Sequence, residues 1–137
     1  MENPKCVLVI DPELPRWLIA NTASVLSITL GERIGAFVGQ DVPDGSGTEH
    51  IGITQLPIPI LQAEPEQIKQ LRDNAVTRED VFVVDFNQTA QTSKYYEEYI
   101  ERLASQPPGE ISYLGVGLYG HRKRIDKLTK GLPLFGG

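Results

Sequence analysis

Apolar residues run almost without interruption through KCVLVI at residues 5–10, VFVVDF at 81–86 and ISYLGVGLYG at 111–120. Short runs rich in Val, Ile and Phe read as strands buried on both faces. The pattern therefore predicts that 7–10, 81–85 and 113–117 are central strands of one sheet. Pro12 and Pro15 close the first run, because proline has no N–H to give to a ladder.

The period then changes. Over residues 16–30 apolar side chains fall at nearly every angle around a helix, and residues 17–31 carry no charge at all. Such a helix is buried or pressed against another subunit. Gly31 and Gly35 are its expected stops. Its outer side should offer water only Thr22, Ser27, Thr29 and their like, so cover by segment 35–55 or by a second copy is expected. Residues 36–54 read as a hairpin, two short strands around Pro43-Asp44-Gly45-Ser46-Gly47. LPIPIL at 56–61 alternates proline with apolar residues and fits an edge strand. Pro65 suits a first helical turn, and Ile68, Leu71 and Ala75 follow at helical spacing. Thr92 or Ser93 is the expected cap of a helix reaching about Ser105, with Tyr96, Tyr99, Ile100 and Leu103 on one face, before Pro107-Pro108-Gly109 breaks it. A basic helical turn precedes the final GLPLF. Strands alternating with helices predict one layered α/β domain over residues 1–137.

Composition narrows the function classes. No apolar run reaches the roughly 20 residues of a membrane helix, and MENPKC has no basic region leading into an apolar core. A single cysteine, Cys6, fits a reducing compartment and a buried spacer role. A cytoplasmic location is the resulting expectation. The net charge of −5 is uneven: residues 1–120 hold 8 Lys/Arg and 17 Asp/Glu, whereas residues 121–137 hold 5 and 1. An acidic body argues against a broad nucleic-acid surface.

Few motifs carry chemistry. Gly115-x-Gly117-x-x-Gly120 matches the dinucleotide fingerprint in letters only: 17 residues follow Gly120, and the motif's acid lies about 20 residues on. The glycines are expected to let a neighbouring element approach a strand, and no cofactor is expected. Asp41, Asp44, Glu49 and His50 match no metal-ligand spacing and read as a solvated hairpin turn, so no metal is expected. His121 and Arg122, with Lys123, Arg124, Lys127 and Lys130, form the one candidate grip for a phosphate-bearing ligand, His121 as a neutral hydrogen-bonding group. Asp85 ends an apolar strand with Asn87 and Thr89 just beyond, and ligand crevices of α/β folds lie outside such strand ends. Asp11 ends the first strand in the same way. Trp17, Asn21, Ser24 and Ile28 share one face of the first helix. Asn21, Asp85 and Thr89 are expected to approach one another.

Taken together, KCVLVIDPELPRWLIANTASVL, LPIPILQAEPEQIKQLRDNA, VFVVDF and YLGVGLYGHRKRIDKLTKGLPL resemble the uncharacterised proteins catalogued as domain of unknown function 2000, over nearly the whole chain. More distantly the chain is similar to type 2 peptidyl-tRNA hydrolases. In that family a strand leads to a helix reading G-K-x-A-A-Q-x-x-H-A, a later strand ends in D-A-G-x-T, and the C-terminus reads I-D-x-V-T-G-x-L-K-L. Here the last element stands as Ile125-Asp126-Lys127-Leu128-Thr129-Lys130-Gly131-Leu132-Pro133-Leu134, and Asp85 and Thr89 keep two positions of the middle one.

The resemblance implies a three-layer α/β/α sandwich with a mixed sheet. It places Trp17 on the family's active-centre lysine, Asn21 on the Gln and Ser24 on the His. Tryptophan cannot supply the lysine's charge, and Arg16 points about 100° away around the helix. The helix at 92–105 looks like an insertion able to roof the cleft against tRNA. The implied role is a small-ligand binding protein that uses an inherited cleft, with Trp17, Asn21, Asn87, His121 and Arg122 as binding residues and no peptidyl-tRNA hydrolase activity. Two alternatives stand beside it. One is a hydrolase of an ester or acyl substrate with Asp85 and Thr89 in the site. The other is a dimeric interaction protein, a homodimer being the expected form.

Overall fold

The computed structural model describes residues 1–136. Strand β1 (Pro4–Ile10) lies at the centre, and Cys6, Val7, Leu8, Val9 and Ile10 are all buried. Helix α1 (Arg16–Ile34) follows. Next come a two-stranded arm formed by β2 (Val42–Pro43) and β3 (Glu49–His50), then β4 (Ile60–Gln62) and helix α2 (Pro65–Ala75). Strand β5 (Phe82–Asn87) leads into the short helix α3 (Gln88–Gln91) and helix α4 (Tyr96–Ala104). Strand β6 (Tyr113–His121) and helix α5 (Arg122–Leu128) follow, and Leu134 beyond them bridges to Leu61 of β4.

The main sheet is mixed, in the order β4-β1-β6-β5, with β4 parallel to β1 and β6 antiparallel to both β1 and β5. The runs at 7–10 and 113–117 are thus the central pair. The run at 81–85 belongs to the same sheet but sits at its edge, which corrects its expected central place and leaves Phe82–Asp85 only half-buried. The proline-broken segment does end in the opposite edge strand, β4, as its missing N–H groups require.

Alternation along β1 divides the interior into two layers. Val7 and Val9 join Ile68, Leu71 and Ala75 of α2 and Ile125 of α5 on one face. Cys6, Leu8 and Ile10 join Leu18, Leu26 and Leu30 of α1 on the other. Helix α2 starts cleanly because Pro65 sits in its first turn and Glu64 and Gln67 close a capping box. Helix α1 passes through Gly31 and stops at Gly35, whose φ of 80° lets its N–H turn back to the Gly31 carbonyl at 3.0 Å.

The glycines of β6 explain how close α1 lies. A Cβ at Gly115 would stand 2.8 Å from Thr22 Cγ2 and 3.1 Å from the Val9 carbonyl, and one at Gly117 2.9 Å from Leu30 Cδ1. They provide close approach and have no helix opening on them. Thr22 is therefore fully buried against the sheet, contrary to its expected place toward water, and its Oγ1 has no hydrogen-bond partner. The outward stripe is Trp17, Asn21, Ser24 and Ile28, with Trp17 63% and Ile28 72% exposed. Segment 35–55 does not cover it. No helix among the described residues is long and apolar enough to cross a membrane.

Cys6 supplies a simple check on the packing. Burial pushes its thiol from 9.0 up to about 11. The unfolded thiol ionises first, so this contribution to stability is complete below pH 9 and is lost as pH rises toward 11. A thiol reagent at pH 8 is expected to label the native protein only at the rate of opening and the urea-unfolded protein within seconds. Equal labelling rates would place Cys6 outside the core.

Candidate functional site

At the carboxyl end of β5 the chain turns over the α1 side of the sheet. Asn87, 1% exposed, caps α3 by accepting the Ala90 N–H on Oδ1 at 2.8 Å. Thr89 is buried, and its hydroxyl donates to Gln106 Oε1 at 2.6 Å, tying α3 to the segment after α4. Its carbonyl accepts from Ser93 Oγ and from Arg102 Nη1. Thr92 and Ser93 turn back on α3 and do not cap α4, whose N-cap position is Tyr95. No residue of α4 is buried, so the face holding Tyr96, Tyr99, Ile100 and Leu103 is not core.

This arrangement leaves a groove of about 500 Å³ walled by Val25 and Thr29 of α1, Val84 and Phe86 of β5, and Tyr95, Tyr96 and Tyr99. Tyr96 and Tyr99 meet edge to face with centroids 5.6 Å apart. Burial raises the Tyr99 phenol's pKa above its ordinary value, with the Asn87 side chain opposing and the Asp85 charge adding to the rise. The phenol is thus a proton-bearing donor at neutral pH. Tyr95 and Tyr96 remain 64% and 71% exposed at the mouth. The volume falls within the range of small-molecule sites, and the lining is mostly apolar with a few hydroxyls.

Of the seven candidate residues, Asp85 alone borders this groove. Its carboxylate is turned to the α2 side, where Oδ2 accepts from Arg72 Nε at 3.2 Å. Arg72 also pairs with Asp73 and lies over the Tyr113 ring, 5.5 Å from its centroid. Burial works against the Arg72 charge, but Asp73, Tyr113 and Asp85 outweigh it and hold its pKa above the ordinary value. Asn21 is exposed on the outward side of α1, across the sheet from the Asp85–Arg72 pair. Asn21, Asp85 and Thr89 therefore do not converge, and Trp17 faces water. The physical reason is parity. Val84 and Phe86 point toward α1, so the residue between them points away.

The basic C-terminal turn is partly self-occupied. His121 caps α5, with Nδ1 accepting the Lys123 N–H at 3.2 Å; Arg122 binds Asn3 through both its backbone N–H and Nε. Arg124 pairs with Asp80 beside His121, Lys123 and Lys127 around a shallower hollow of about 290 Å³. At the arm tip, Asp44 accepts from Ser46 and Thr48 and pairs with His50 Nε2 at 2.8 Å. Asp11 accepts the Glu13 N–H, a turn role.

Val25, Thr29, Tyr95, Tyr96 and Tyr99 were not among the sequence candidates. For the tyrosines the one local signal is the cluster KYYEEY at 94–99, a short helix past the end of β5, with three tyrosines within five residues. A family model described as protein of unknown function (DUF2000) matches residues 4–135. A solved structure of a protein of unknown function from Agrobacterium tumefaciens is similar, with a TM-score of 0.87 at 20% identity and 98% of each chain covered. At that identity the likeness shows the fold. No curated protein matches.

Proposed function

We propose, for a chain that belongs to the DUF2000 family of proteins of unknown function, that it binds a small uncharged ligand in the tyrosine-walled groove between α1, β5 and α4. The carrying observation is three tyrosines placed around about 500 Å³ of mostly apolar space, two of them held largely exposed at its mouth. Aromatic faces favour a planar, apolar body. The Asp85 charge is neutralised by Arg72, so nothing in the lining calls for a cation. Tyr99 and Thr29 would orient one polar substituent.

The distant similarity to type 2 peptidyl-tRNA hydrolases supports a binding role more than catalysis. By that resemblance Trp17 takes the place of the family's lysine, and peptide release from peptidyl-tRNA is expected to stay at background. Hydrolysis of an ester or acyl substrate is the competing reading, since Asp85 borders the groove. Against it, Asp85 is engaged by Arg72 and the Thr89 hydroxyl donates to Gln106, so neither of the two residues that reading relies on is free.

Titration with the neutral fluorophore N-phenyl-1-naphthylamine tests the reading. Saturable enhancement is expected, weakened about tenfold by Tyr96→Ala combined with Tyr99→Ala, as loss of two ring contacts implies. An unsaturable signal, or one indifferent to both substitutions, would refute the site. Turnover of 4-nitrophenyl butyrate that Asp85→Ala abolishes would favour the hydrolase.

A further inference from the structure

The outer face of α1 and the β2–β3 arm both leave apolar surface uncovered. The Val38–Thr54 bridge and the Val42–His50 pair share one register, so Val38 and Val42 fall on one face of the arm and Ile51 and Ile53 on the other. All four are 57–79% exposed. The arm is nonetheless tied to itself: its tip is fastened by the Asp44 bonds, and Asp41 Oδ1 accepts the Gly52 N–H at 3.0 Å. An arm pre-ordered by its own bonds has less to lose on docking.

We infer that the occupant of this surface is a second copy of the chain, each protomer's arm lying across its partner's α1 at Trp17 and Ile28. With Ile51 and Ile53 on the one face of the arm that meets them, these side chains offer on the order of 400 Å² of apolar area. A standard interface takes about 800 Å² per partner, a little over half of it apolar, so the patch is the right size for one side of a dimer. The geometry of a two-fold points the same way. Two α1 helices related by an axis across them run antiparallel, and the arm is rooted just past the C-terminus of α1, at Gly35. Each arm then meets the N-terminal end of the partner's α1. That end carries exposed Arg16 beside Trp17, while the arm carries Asp41 and Glu49 in addition to the His50-paired Asp44, so the charges are complementary. The 15 uncharged residues at 17–31 present no other charge to the partner's acidic arm.

The chain's one tryptophan lies in the inferred contact and reports on it directly. Light scattering of the full chain at tens of micromolar is expected to give twice the 15.2 kDa chain mass. Ile51→Asp with Ile53→Asp, at positions 79% exposed in the single chain, should halve the mass, keep the far-UV spectrum and shift Trp17 emission to the red. Ile28→Glu, on the helix side, should do the same. A wild-type mass of one chain overturns the inference. So does a dimer that survives these substitutions, or one whose Trp17 emission is already that of a water-exposed indole.

Discussion

Gly115→Val is expected to lower the unfolding free energy by about 3 kcal/mol, at the upper end of what overpacking a core costs. A Cβ at Gly115 already stands 2.8 Å from Thr22 Cγ2 and 3.1 Å from the Val9 carbonyl. Neither neighbour gives way easily: the first is a short β-branched side chain on a packed helix, the second is backbone of the central strand. Valine's strand preference returns at most about 1 kcal/mol. The origin of the loss can be isolated by Thr22→Ala, which removes both the clashing methyl and a buried hydroxyl that has no partner. That change alone should cost little, and in its background Gly115→Val should recover about 1–2 kcal/mol. Urea unfolding of the four proteins closes the cycle, and strict additivity would show that the seating of α1 on β6 is not set at this contact.

Asn87→Ala is expected to cost about 2 kcal/mol and to weaken binding in the groove. The side chain is buried at the end of β5, caps α3 through Ala90 and stands beside the Tyr99 phenol. Alanine leaves the Ala90 N–H without its acceptor, and both lost caps and orphaned buried donors fall in this range. Because α3 links β5 to α4, the tyrosines should lose their positions with it. Asn87→Ser keeps a capping oxygen and should restore part of the stability. The urea midpoint with an unchanged slope measures the first effect and N-phenyl-1-naphthylamine titration the second. Binding untouched by Asn87→Ala would mean that α4 is held by other contacts.

The strands and helices were largely legible because each segment repeats one period and ends in its own punctuation. β1 is an unbroken apolar run closed by prolines, and α2 carries Pro65 at its start and Ile68, Leu71 and Ala75 inward. The candidate site was less legible, for reasons of direction. In α1 the stripe Trp17, Asn21, Ser24, Ile28 and the stripe Leu18, Thr22, Leu26, Leu30 have nearly the same spacing, and the absence of charge over residues 17–31 leaves no sign of which one faces water. In β5 the parity separating Asp85 from Val84 and Phe86 is visible in the sequence, but not which parity faces α1. Thr89 and Asn87 sit at a strand end, where capping and ligand binding call for the same residue types. The tyrosines stood at helical spacing, which does not distinguish a core face from a groove wall.

Locating a bound neutral aromatic molecule most directly separates the groove from the other surfaces. With N-phenyl-1-naphthylamine added to isotope-labelled protein, amide and side-chain resonances of Val25, Thr29, Val84, Tyr96 and Tyr99 should move together along one saturation curve, while those of Lys69 and Arg72 on the opposite layer stay still. Shifts concentrated on Arg72 and Asp85, or on His121 and Lys123, with the tyrosines unmoved, would contradict the assignment of the groove.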